Sequence, residues 1–509
     1  MHPVDLIVVA AYLVTAVWFG KRLSRGQTGV RDYFLTGRRV PWWAVTGSIV
    51  ATETSTVTLI SVPGYAFGSD LTFLQIAAGY VVGRLFVALI FIPPYFRGEF
   101  VTAYQLLARR FDRRIGRLTA AIFLATRNIS DGLRLFATGV ILAAAMLTFT
   151  SEQRTSAVLP DAAQDTTVLV AAVAVIAIVT LAYTWLGGML AVVWLDVAQL
   201  AIYLGGSVIA AAVLVSTIPG GWPEVMSSGH AAGKLTVLDL TWTLTQDYTF
   251  WSAMVGGAFL TAATHGTDQM FVQRYLCCTS TRDARRALVV SGLIVFVQFA
   301  LFLMIGVMLW AYYTAHAPGL LSPIMIGDRV QPDRVFPLFL MTHLPVGLRG
   351  LMLAAILAAA MSTLSSSLNS SAAVTIGDFY MQWAGRDRPD IDYLRVARWA
   401  TVGWAAVQVA VALVAIQLSS RLIDEVLAVQ FFTGGLLLGI FLLGTCTAIR
   451  SPAAAAVGLG AGLAATLSLA LFTAVSYQWY TLIGSMTTLG MGWTAQVISV
   501  PHTEDADHG

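Results

Sequence analysis

Charged side chains are scarce in this chain. Asp, Glu, Lys and Arg make up 11% of 509 residues against 57% hydrophobic ones, and the mean hydropathy of +0.75 lies far from that of a water-soluble globular chain. The shortage implies a lipid solvent. A net charge of only +3 removes the basic field that a nucleic-acid partner needs. Cysteine is equally sparse: Cys277 and Cys278 are adjacent and Cys446 falls in an apolar run, so no zinc spacing, CxxC pair or disulfide framework exists. The seven histidines never take HExxH spacing. A membrane-embedded enzyme would need such a cluster or a nucleophile with its base, so the chain reads as a non-enzyme. No low-complexity linker divides it.

What is present is a succession of apolar runs, each near the ~20 residues that cross a hydrocarbon core. Their edges predict thirteen spans: 4–20, 42–66, 71–96, 117–148, 167–187, 189–217, 250–275, 287–314, 346–380, 394–418, 423–447, 452–475 and 479–498. The expected fold class is an all-α polytopic membrane protein. The first run is a retained span, because Lys21 and Arg22 follow it and no basic residue precedes it.

Basic residues test that count. Alternate connections and the span ends beside them gather the clusters Lys21–Arg39, Arg97–Arg117, Arg274–Arg286 and Arg386–Arg398, with Arg450. The opposite face carries only Arg154, Lys234, Arg329, Arg334, Arg349 and Arg421. The expectation is therefore an inner-membrane protein with its N-terminus outside and its C-terminus in the cytoplasm. Arg84, Arg127 and Arg134 fall inside spans, as do Glu53, Asp131, Asp196, His265 and Asp268. A charge at membrane depth costs at least ~2.5–3.5 kcal/mol, so such residues face a cavity or a partner. Asp131 stands four residues from Arg127 and three from Arg134, a spacing that equally suits helix pairing. Arg84 suits either snorkelling or pairing.

The sharpest polar exception is the run Ala359 to Ser371. Ser362, Ser365, Ser366, Asn369 and Ser370 fall on one helix face. Neutral hydroxyls and carbonyls suit a hard monovalent cation, although close packing of small residues would produce the same stripe. Two further polar runs, Gly47 to Thr58 and Thr261 to Gln269, lie five spans apart. Interrupted helices at matching positions of two halves mark the site of an inverted-repeat transporter, and the offset predicts a five-plus-five repeat.

At these residues the chain resembles the sodium:solute symporter family. The likeness includes the segment Asp32 to Arg39 before Pro41-Trp42-Trp43, and Gly187-Gly188-Met189 leading to Trp194-Leu195-Asp196. Gly266-Thr267-Asp268-Gln269 running on to Tyr275 and the Ser/Thr span complete it. The resemblance implies a LeuT-like repeat with one extra N-terminal and two extra C-terminal helices: 1–41 before the repeats, 42–217 and 250–447 as the repeats, 218–249 as an extracellular loop and 448–509 after them. It implies sodium held by carbonyls of Ala51, Thr54 and Ala359 and hydroxyls of Ser362 and Thr363. Some members hold a second ion, which here would fall on Asp196, Ser362, Ser365 and Ser366. Substrate contacts project onto Glu53, Ser55, Thr56, Thr58, Gln75, Thr261, Thr264, His265 and Gln430, with Phe431 or Phe432 as an apolar wall. Two positions depart from the family: His265 stands where sugar carriers tend to have an aromatic, and Glu53 where many relatives have an amide, an aspartate or a small residue.

The expected function is sodium-coupled import of a small polar organic solute, a sugar or a small organic acid, by alternating access. Arg134 or Arg127 would suit a carboxylate, and Glu53, Gln75 and Gln430 suit hydroxyls. Sodium is the coupling ion, with no organic cofactor. The partners are the solute, the ion and the bilayer, and the oligomeric state is left open, a monomer included. Two other readings use the same residues. A proton-coupled carrier would relay through Glu53, Asp196 or His265, and a transporter-like sensor would carry a signalling extension, which a chain ending about ten residues after its last span does not provide.

Overall fold

The structure, a computed structural model, describes residues 2–23, 29–98, 100–150, 166–326, 329–383, 389–418 and 420–499. Its long helices are α1 (Pro3–Leu23), α2 (Trp42–Glu53), α3 (Thr56–Gly68), α4 (Leu74–Ile90), α5 (Arg113–Thr150), α6 (Thr166–Thr217) and α7 (Phe250–Thr267). They continue with α8 (Gln269–Leu276), α9 (Thr281–Ala315), α10 (Leu348–Val374), α11 (Asp390–Ala415), α12 (Ser420–Cys446), α13 (Pro452–Phe472) and α14 (Tyr480–Ser499). A two-stranded antiparallel ribbon, β1 (Met325–Ile326) with β2 (Arg329–Val330), pairs Met325 with Val330. Among the described residues, seven helices are long and apolar enough to cross a hydrocarbon core. The bent pair α2–α3, with 65° between its halves, adds an eighth when read as one span. The protein is thus helical and multi-pass. The expected loop 218–249 contains a helix of its own, Gly221–Ala231.

Local chemistry explains where these helices begin and break. Thr249 and Ser252 form a reciprocal capping box at the start of α7, which satisfies two donors that the helix cannot. The 52-residue α6 is interrupted at Gly188, where φ +55° and ψ −152° form a conformation open essentially to glycine alone. The apolar stretches 166–187 and 189–217 on either side are each long enough to span. α4 crosses α7 where Gly79 and Gly83 lie against the backbone of Met254 and Ala258. That close approach delivers the next residue, Arg84, to the side of His265.

The Ser/Thr helix α10 is the most enclosed of these spans, with 89% of its apolar window buried. Its N-terminus follows Gly347 (φ +87°), which offers no capping side chain. The acceptor comes from α1: Asp5 Oδ1 accepts from the amides of Gly347 (2.7 Å) and Gly350 (2.9 Å). A carboxylate there meets both the orphan amides and the positive end of the helix dipole. Asp5→Ala is expected to cost about 1–2 kcal/mol, the value of a helix cap. The thermal midpoint of the purified protein should fall accordingly, and Asp5→Asn, still an acceptor, should fall less.

Candidate ion and solute site

The break between α2 and α3 is written in Thr52-Glu53-Thr54-Ser55-Thr56, where short polar side chains compete with the helix ladder for backbone partners. α2 ends at Thr54 (φ −85°, ψ 93°), whose hydroxyl donates back to the Val50 carbonyl at 2.9 Å. Ser55 then caps α3, accepting from the Thr58 amide at 3.3 Å. The last carbonyls of α2 therefore emerge at membrane depth without intrahelical donors, and a helix C-terminus presents partial negative charge.

α10 faces that end. Thr363 Oγ1 lies 3.3 Å from the carbonyl oxygens of both Thr52 and Ala359, so one hydroxyl links the broken helix to the Ser/Thr helix. Ala51, Thr54, Ala359, Ser362 and Thr363 are all buried, two on α2 or its cap and three on α10. Ser362 donates its proton to Asp196 Oδ1 at 2.7 Å, which leaves its oxygen lone pairs for a cation. Gln298 of α9 donates to Thr54 Oγ1 at 2.6 Å. This donor set, neutral oxygens from carbonyls and hydroxyls, fits a hard monovalent ion.

The set expected for a second ion behaves differently. Asp196 Oδ2 accepts from Ser48 (2.5 Å), Thr52 (3.3 Å) and Arg274 Nη2 (3.0 Å). Arg274 also donates to Ser48 through Nε (2.9 Å), and to Thr52, Ser366 and the Met270 carbonyl. Asp196, Ser362 and Ser366 thus converge, with a guanidinium among them. Ser365 donates to the Ser362 carbonyl of its own helix at 3.1 Å. The sequence grouped Arg274 with the basic flank of a span. The structure buries it in an ion pair instead, because α8 restarts only six residues earlier at the Asp268 break.

Beside the ion donors lies a cavity of about 1090 Å3, its open mouth included. Of the residues proposed to contact a solute, Glu53, Ser55, Thr58, Thr261, Thr264, His265 and Arg134 line it, together with Thr126, Thr363 and the apolar Phe123, Leu260 and Phe271. Thr56 lines a smaller neighbouring cavity with Asp131 and Arg134, and its hydroxyl donates to the Ile356 carbonyl at 3.1 Å. Gln75 is elsewhere. Its amide donates to the Tyr248 carbonyl at 2.9 Å and fastens the segment before α7. Phe432 stacks on Tyr480 instead of lining the cavity. Gln430 and Phe431 fall outside the residues whose side chains are described.

Arg84, Arg127 and Arg134 are each paired with a carboxylate. Arg84 is bonded to Glu53 and lies 3.2 Å from His265 Nε2, while His265 stacks on Phe271. Arg127 pairs with Asp268 at 2.8 Å, and Arg134 with Asp131 at 2.8 Å. Snorkelling of Arg84 is therefore not what the structure adopts, and the helix pairing of Asp131 is present. The pairs between distant helices were not legible in the sequence, whereas the Asp131–Arg134 spacing signalled the pair within one helix.

The sequence profile of the sodium:solute symporter family matches residues 33–449. The chain belongs to this family. It is 30% identical to the sodium/sialic acid symporter SiaT of Proteus mirabilis (strain HI4320), over 97% of this chain and 94% of that protein. It is 29% identical to the human sodium/iodide cotransporter, over 89% of this chain and 67% of that protein. A solved structure of a sodium-coupled sialic acid symporter, substrate-bound and outward-open, aligns with a TM-score of 0.86 at 26% identity, covering 98% of both chains. A nucleobase-cation-symport-1 transporter shares the fold at a TM-score of 0.58 and 12% identity, over 92% of this chain and 94% of that one. The protein is a sodium-coupled symporter of a small organic solute, with sodium as the coupling ion.

Within this symporter the Arg84–Glu53 pair should act as a unit. Breaking a buried pair on one side strands a charge and costs about 3–5 kcal/mol, whereas replacing both partners costs far less. Arg84→Met is expected to lose stability near the lower end of that range, because Glu53 faces the cavity. The double variant Arg84→Met with Glu53→Gln should recover most of the loss in denaturation of the purified protein.

Proposed function

We propose that the chain imports a hydroxylated organic acid or sugar together with sodium across the inner membrane. The observation that carries the solute class is Arg134: its side chain is 30% exposed on a cavity wall otherwise rich in hydroxyls. A guanidinium beside several hydroxyls suits a solute with a carboxylate and hydroxyl groups. The named substrates of the sialic acid relatives fit that class.

In this reading sodium is held by the carbonyls of Ala51, Thr54 and Ala359 and the hydroxyls of Ser362 and Thr363. Ser55, Thr58, Thr261, Thr264, His265 and Arg134 contact the solute, with Glu53 set by Arg84. Ion binding draws the end of α2 against α10, completes the cavity wall at Thr363, and favours the closed state from which the solute is released inward. No covalent chemistry is needed, so the protein is not an enzyme. Each sodium carried down the membrane potential contributes about 2.3 kcal/mol per 100 mV. Thirteen spans follow when α2–α3 and α7–α8 each count as one broken span and α6 as two. The repeats are then 42–217 and 250–447, with the N-terminus outside and the C-terminus in the cytoplasm. A proton relay through Glu53 or Asp196 is disfavoured by the arginine that each carboxylate already holds.

Thermal-shift screening of the purified protein against sugars and sugar acids, in sodium and in potassium, tests this function. Stabilisation by carboxylated, hydroxylated solutes in sodium alone is expected, and equal stabilisation in potassium would count against coupling. Ser362→Ala should weaken apparent sodium affinity about tenfold, the value of one lost ligand near 1.4 kcal/mol. Membrane insertion should be unchanged, and unaltered sodium affinity would remove the ion assignment.

A further inference from the structure

We infer that the guanidinium of Arg274 occupies the place of a second coupling cation among Asp196, Ser48, Thr52 and Ser366, so that the chain binds one sodium ion per cycle. The inference rests on the sodium-coupled reading and deepens it.

An aspartate and several hydroxyls gathered inside a membrane protein are an oxygen cage for a cation. Here the cage is filled from within. Arg274 is 1% exposed and Asp196 fully buried. Nε reaches Ser48 at 2.9 Å, and Nη2 reaches Asp196 at 3.0 Å while also contacting Thr52 and Ser366. Nη1 is taken by the Met270 carbonyl. Guanidinium keeps its proton at every accessible pH and offers a rigid, planar fork. A sodium ion added to this cage would set two positive charges against one carboxylate at low dielectric, where like charges repel strongly. For the ion to enter, Arg274 would have to leave bonds on α2, α6 and α10 at once.

The same arrangement serves the first ion. Because Arg274 and Ser48 hold Asp196 in place, its Oδ1 accepts the Ser362 proton at 2.7 Å, and the Ser362 oxygen keeps its lone pairs toward the end of α2. Asp196 is then a positioning residue for the principal sodium site and not itself an ion ligand. The fixed cation is tethered to α8, so it balances the buried carboxylate throughout the cycle and adds nothing to the charge transported.

The test counts sodium ions without a solute. The full-length protein in detergent is titrated with sodium chloride, choline replacing sodium at constant ionic strength, and its unfolding free energy is followed well above the apparent dissociation constant. By linkage, each ion bound only to the folded state adds about 1.4 kcal/mol per tenfold rise in sodium. The wild type is expected to show the slope of one ion, and Arg274→Gln, which empties the cage and leaves Asp196 to accept sodium, the slope of two. The double variant Asp196→Asn with Arg274→Gln, lacking both charges, should return to one, and it keeps the test decisive where the single variant does not fold. A two-ion slope in the wild type, a one-ion slope in a folded Arg274→Gln, or a double variant below the wild type would each overturn the inference. A wild type with no sodium slope at all would instead sink the sodium-coupled reading on which it stands.

Discussion

A helix broken inside hydrocarbon has to find new partners for its backbone, and the break at Thr54 and Ser55 is the constraint on which this structure turns. An unsatisfied peptide group in lipid costs several kcal/mol, so the elements facing the break cannot be apolar. Thr363 of α10 meets the Thr52 carbonyl, Gln298 of α9 meets the Thr54 hydroxyl, and Thr56 turns to the Ile356 carbonyl. Once α10 must be polar on that face, it must itself be sheltered from lipid, and its apolar window is buried nearly throughout. The Thr363 hydroxyl, one of the proposed ion donors, is thus also one of the groups that make the break tolerable.

Charge placement follows from the two breaks, and the two are not equivalent. Asp268 stands at the start of α8, accepts from the Met270 amide at 2.8 Å, and gains from the helix dipole. Glu53 is the last residue of α2, where the dipole opposes a carboxylate, and it is the one bonded to the fully buried Arg84. At the first break the arginine compensates both burial and dipole. At the second, Arg127 completes a carboxylate that its own helix already favours. Desolvation makes such pairs poor sources of stability, so their worth lies in fixing which residue of one helix faces which residue of another.

Much of this architecture was legible in the sequence because it is periodic or local. The Ser362 to Ser370 stripe follows from helical spacing alone, and the interruptions near Glu53 and Asp268 follow from polar runs that a lipid-facing helix cannot hold. The kink at Gly188 matches the boundary that the Gly187-Gly188 pair implied. What stayed hidden depends on contacts distant in sequence: Arg84 lies 31 residues from Glu53, and Arg127 lies 141 from Asp268. Gln75 was misplaced because a polar residue near a span start serves a loop as readily as a cavity. Arg274 was misread for a geometric reason. Counted from the start of its span it looks like a flank, but counted from the Asp268 break it is six residues on, about 9 Å along a helix, and so still inside.

The first helix belongs to neither expected repeat, yet it bears on the site. Asp5 fixes the N-terminus of α10, while the Tyr12 hydroxyl meets the Met361 sulfur at 3.7 Å and accepts from Gln199 of α6. Beyond the other end of α10, a π-helical turn at Thr375–Tyr380 is held by Trp404 of α11 through Thr375 Oγ1 at 2.9 Å. A helix fastened at both ends, and along its length by Asp196 and Tyr183, is a poor candidate for the moving part. α2 ends at its break, and two hydroxyl contacts join its last turn to α10: Thr363 at the Thr52 carbonyl and the Thr52 hydroxyl at Ser366, 3.2 Å away. In the proposed cycle sodium held between them would draw α2 toward α10, which assigns the conformational work of coupling to the broken helix.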